Sequence, residues 1–143
     1  MIQFKVGLYN LNNDANYNYQ LNRLINWDGG DLDEVRGISH KINGSESWKR
    51  ELIALGDKAL AEKRIENAIA YYRMSEFFMY DGDPDKKKYY KKACDLFYDF
   101  YKAYFESGEV KRFDVPYENI TLPVMYAPAK GKCKDRIILH GGN

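Results

Sequence analysis

Cysteine, proline and histidine are scarce: the 143 residues hold two, four and two of them. Cys94 and Cys133 share no metal-ligand spacing, and neither sits in a C-x-x-C. They are expected to be free thiols in a reducing compartment. His40 and His140 lie too far apart in sequence to make a local metal motif, so no metal is expected. No G-x-G-x-x-G and no G-x-x-x-x-G-K-[ST] occurs, which removes the sequence-local phosphate cradles. No cofactor is expected. Charge of one sign is missing too: 22 basic side chains face 21 acidic ones, for a net +1. Such a balance sets up no field for nucleic acid or an anionic membrane. No apolar run approaches the ~18 residues of a membrane helix. The opening MIQFKVGLYN lacks the basic-then-apolar order of a signal peptide. These absences predict a cytoplasmic protein with no nucleic-acid and no membrane partner.

What is plentiful is tyrosine, thirteen residues beside seven Phe. Aromatic rings bring large buried area, and each Tyr hydroxyl asks for a partner or water. Hydrophobic residues make up 45% and charged residues 30%, the balance of a globular chain rather than a disordered one. Apolar periodicity near 3.6 runs through most of the chain. Tyr17, Leu21, Leu24 and Ile25 share a helical face, closed by Asp28-Gly29-Gly30. A short helix is expected from Leu32 to Lys41, closed by Asn43-Gly44-Ser45. The next helix starts at Ser45 or Ser47, whose hydroxyl can accept from a free amide in the first turn. It carries Trp48, Leu52, Leu55 and Ala59 on one side and breaks near Lys63-Arg64. Another helix follows through Ile65, Ala68, Ile69, Tyr72 and Met79. Asp81-Gly82-Asp83-Pro84 marks a boundary, with Asp as cap and Pro at the first helical position. One long helix is then expected from about Pro84 to Glu106.

Beyond Ser107-Gly108 the period drops to 2. Lys111, Phe113, Val115 and Tyr117 alternate with Arg112, Asp114 and Pro116. After Glu118-Asn119, Ile120, Leu122, Val124 and Tyr126 alternate with Thr121, Pro123 and Met125. Two strands joined by a tight turn are predicted, with the prolines where no ladder amide is needed. Residues 136–139 form an apolar run, read as a third, buried strand.

Chemistry-bearing motifs are few. None of Ser39, Ser45, Ser47, Ser75 and Ser107 lies in a G-x-S-x-G elbow. Ser39 and His40 are adjacent on a helix, so they point to different faces and cannot share a proton. Asp81-Gly82-Asp83-Pro84-Asp85 lacks the ~12-residue frame and closing Glu of a calcium loop, and capping explains it. His140-Gly141-Gly142 after a strand can aim backbone amides at a developing oxyanion, although a Gly-Gly there is more often only a turn.

The collinear order of "GGDLDEVRGISHKINGSESWKRE" (29–51), "AIAYYRMSEFF" (68–78), the Pro84 helix, "FDVPYENITLPVMYAP" (113–128) and "IILHGGN" (137–143) resembles the N-terminal half of α/β-hydrolases with a helical cap. The relatives are the 2,6-dihydropseudooxynicotine hydrolase group and proteins resembling the fermentation–respiration switch esterase. The resemblance implies an α/β fold: a cap of about five helices over 1–108, then an antiparallel strand pair and a third strand over 109–143. It implies that the backbone at Gly142 and Asn143 helps hold an oxyanion, with His140 a loop residue. It places nucleophile, acid and base outside this sequence, so the chain is expected to be a piece of a serine-dependent hydrolase, inactive alone. The complete enzyme would act on an ester, amide or carbon–carbon bond next to a carbonyl of a small-molecule substrate. Tyr71, Tyr72, Phe77, Phe78 and Tyr80 are candidates for a substrate wall, with core packing the commoner role of such residues. Unpaired strand edges predict self-association. A different reading comes from Leu55-Gly56 and Ala59 followed by Ala68-Ile69-Ala70-Tyr71-Tyr72, which resembles a tetratricopeptide helix pair. Against it, no repeat of about 34 residues recurs.

Overall fold

Short polar side chains start the helices. The computed structural model describes residues 8–139. Asp14 accepts from the amides of Asn16 and Tyr17 and opens α1, Ala15–Arg23. α1 runs on into one π-helical turn, Leu24–Asp28, which the sequence periodicity does not announce. Gly29, at φ 91°, closes it as the double glycine predicted. Asp31 caps α2, Leu32–Ser39, through the amides of Asp33 and Glu34.

α3 spans Ser45–Ala61. Ser47 is its anchor, but it works backward: its Oγ accepts from the amides of Asn43 and Gly44, which precede the helix. The far end is a Schellman turn. Arg64 N–H donates to the Ala59 carbonyl at 2.8 Å and Lys63 N–H to that of Leu60 at 3.0 Å, with Lys63 held at φ 60°.

α4, Ile65–Ser75, ends before the expected Met79. Two side chains occupy its last carbonyls: Ser75 Oγ donates to the Tyr72 oxygen and Trp48 Nε1 to the Met74 oxygen. Asp83 then accepts from Asp85 N–H and starts α5, Pro84–Phe100. The expected single helix to Glu106 is two; Tyr101 interrupts it, and α6 covers Lys102–Glu106.

The chain divides between Phe100 and Tyr101 into two units. In the first, α4 packs against α3 on one side and α5 on the other. Leu21, Leu24, Val35, Trp48, Leu52, Tyr71 and Tyr72 are fully buried in its core. Tyr17, Trp48 and Phe78 stack edge and face within 5.6 Å between ring centres. Gly56 lets α3 approach α4: a Cβ there would lie 2.5 Å from the Tyr72 ring.

The second unit holds α6 and an antiparallel hairpin, β1 (Lys111–Tyr117) and β2 (Ile120–Tyr126), as the alternation predicted. The described elements are thus six α-helices and a two-stranded sheet, a mixed α/β chain. The expected third strand is not formed over 136–139. Ile137, Ile138 and Leu139 stand 87–92% exposed, with no ladder partner among the described residues. A strand forms only against an edge that offers amides in register, and each outer edge of the hairpin carries a proline.

Register explains where the prolines sit. The two-residue loop Glu118-Asn119 makes Tyr117↔Ile120 a hydrogen-bonded pair, and Val115↔Leu122, Phe113↔Val124 and Lys111↔Tyr126 follow at every second step. Pro116 and Pro123 fall on the alternate pairs, Pro116↔Thr121 and Asp114↔Pro123, whose amides point outward. Neither removes a bond inside the hairpin.

Candidate functional site

The substrate-wall candidates do not form one surface. Tyr71 and Tyr72 are neighbours on α4 and both fully buried within the helical core. Phe78 packs between Tyr17 and Trp48. Phe77, 41% exposed, lies under the Arg23 guanidinium at 5.9 Å, and Tyr80 is 70% exposed. Gly142, Asn143 and His140 lie outside the described residues.

The sequence reading did not single out the charged groups to which the two buried tyrosines lead. Tyr71 Oη donates to Glu34 Oε2 at 2.7 Å and accepts from Asp31 N–H at 2.9 Å. Glu34 also accepts from Lys58 Nζ at 2.7 Å and from both terminal nitrogens of Arg64. Burial alone would raise the Glu34 pKa; bonds from Lys58, Arg64 and Tyr71 outweigh it and hold the carboxyl down to about 2. Desolvation and the same carboxylate push the Tyr71 phenol well above the usual tyrosine range.

Tyr72 Oη donates to Asp57 Oδ1 at 2.6 Å and accepts from Lys92 Nζ at 2.7 Å. Its phenol is likewise pushed up, first by burial and then by Asp57. Lys49 bridges to Asp83 at 2.9 Å and Asp85 at 2.8 Å, tying α3 to the start of α5. Phenols raised in this way keep their protons at neutral pH and act as donors to the two carboxylates. The partners in these clusters stand 15 to 40 residues apart on different helices, a separation that leaves no local sequence signal.

Ser39, Ser75 and Ser107 donate to the carbonyls of Arg36, Tyr72 and Tyr104, and Ser47 to Asn43 Oδ1 and the Gly44 carbonyl. Among the described residues no group of three or more His, Cys, Asp or Glu is placed to hold a metal, and no helix is long and apolar enough to cross a membrane.

Two concavities open on the helical unit. One, of about 530 Å³, is lined by Asn10, Asn12, Asn13, Asp14, His40 and Asn43 with Leu11 and Ile42. Asn12 Nδ2 already donates to the carbonyls of Ser39 and Ile42, and Asp14 caps α1. The other, of about 320 Å³, runs along α3 past Lys49, Ile53 and Asp57. No protein-family model matches this chain, and no curated protein or solved structure does.

Proposed function

We propose that the chain supplies the helical cap and opening strand pair of a serine-dependent α/β-hydrolase. One observation carries this reading: a tight antiparallel hairpin at 111–126 follows a helical unit, in the order that the resemblance calls for. The substrate is a small molecule with an ester, amide or carbon–carbon bond next to a carbonyl. Serine attacks that carbonyl, histidine moves the proton, an acid orients the histidine, and amides at Gly142 and Asn143 stabilise the oxyanion. The triad is contributed by sequence outside these 143 residues. In keeping with that, the described serine hydroxyls that donate are bonded to main-chain carbonyls and the Asn43 amide oxygen. A sheet extended beyond β2 would find outward amides at Thr121 and Met125 and none at Pro123.

The test has two parts. The chain alone is expected to leave a nitrophenyl acyl ester uncleaved; saturable hydrolysis stopped by a serine-directed phosphonate would show a nucleophile within it. Reading the encoding DNA past codon 143 should reveal an open frame with a G-x-S-x-G. Further helix pairs there would favour the second reading, a tetratricopeptide-like interaction module. The packing of Gly56 against Tyr72, and of α3, α4 and α5 in sequence order, favours that alternative.

A further inference from the structure

The hairpin's two faces are chemically unlike. One carries Phe113, Val115, Tyr117, Ile120, Leu122 and Val124, with Tyr126 and Lys111 at its open end. These apolar side chains are 42–59% exposed. The other face carries Arg112 and Asp114, paired at 3.0 Å, with both prolines, Thr121 and Met125. A two-stranded hairpin is marginal in water unless something covers its apolar side. We propose that this face is a dimer interface between two copies of the chain, packed sheet on sheet.

Three observations select a second copy. Strand addition at the edges is handicapped, since each outer edge has three outward positions and a proline takes one: Pro116 beside Arg112 and Asp114, Pro123 between Thr121 and Met125. Self-association is thereby redirected from the edges, where sequence alone placed it, to the face. The face is also uncharged except for Lys111 at its end, so it carries little repulsion against its own copy. Stacking the hairpins with strands reversed separates the two Lys111 side chains by about 20 Å, beyond the ~8–10 Å screening length. Finally, the apolar side chains offer roughly 700 Å², near the ~800 Å² per partner of a standard interface. The dimer belongs to these 143 residues alone: in a complete α/β-hydrolase sheet, helices would cover this face instead.

Sedimentation of the full chain decides it. Wild type should show a monomer–dimer equilibrium below about 100 μM. Leu122→Lys, at the centre of the face, should weaken dimerisation at least tenfold. Mixing Leu122→Lys with Leu122→Glu chains should restore a heterodimer, which two misfolded chains would not do. Thr121→Pro, which damages only the β2 edge, should leave the dimer intact. The proposal is overturned by a wild type that stays monomeric up to that concentration, which would assign the face to another segment or partner. Dimers unaffected by Leu122→Lys, or lost with Thr121→Pro, would overturn it equally.

Discussion

At Glu34 a single carboxylate ties α2 to Lys58 of α3, to Arg64 and to Tyr71 of α4. Its folded-state pKa, about 2, lies below the ordinary 4.5. The stabilisation is therefore complete above about pH 4.5 and disappears as pH falls through about 2. Glu34→Gln should lower stability at pH 7 and flatten the acid limb between those values, read by urea unfolding across pH. Lys63 poses the opposite case. It holds the left-handed position of the α3 Schellman turn, at φ 60°, where a Cβ is penalised. Lys63→Gly should stabilise by about 0.5–1 kcal/mol despite the looser unfolded chain, seen as a rise in Tm. The turn's place was legible in the sequence, as a break near Lys63-Arg64. Its strain was not, because a lysine is no signal for positive φ.

Among the elements, α3 and α4 meet where a glycine faces a tyrosine ring. With a Cβ 2.5 Å from that ring, Gly56→Ala must push Tyr72 or separate the helices, although alanine favours helix. The expected outcome is a loss of about 1–3 kcal/mol by chemical denaturation; a gain would mean that Tyr72 moves freely. Trp48→Phe keeps an aromatic in the core but strips the Met74 carbonyl of its indole donor. A cost of about 1–3 kcal/mol is expected, with earlier exchange of the amides near Ser75. The periodicity showed the faces of both helices, but it ran α4 on to Met79. One of the two side chains on the last carbonyls of α4, Trp48, comes from another helix, and a local pattern cannot contain it. The strand pair was readable to the residue, since alternation and a two-residue turn are local features. A third strand at 136–139 was not, because a strand exists only with a neighbour.

At the scale of the whole molecule, the division at Phe100/Tyr101 separates a helical unit with its own buried core from a hairpin unit whose apolar side chains stay half exposed. Ending the chain after Phe100 should therefore keep the helical circular dichroism and a cooperative thermal transition, within a few degrees of the full chain. Loss of cooperativity would show that the second unit completes the first.

Sequence alone determined the helical faces, the Asp83 cap and the hairpin with its two-residue turn. Each follows from interactions within a few residues or from a repeated period. Only the tertiary structure decided that Tyr71 and Tyr72 are core residues and that their hydroxyls reach Glu34 and Asp57. It also decided that 136–139 pairs with no strand among the described residues and that the hairpin's apolar side stands open. Those outcomes depend on which groups distant in sequence come together, and burial and pairing are settled only by that meeting.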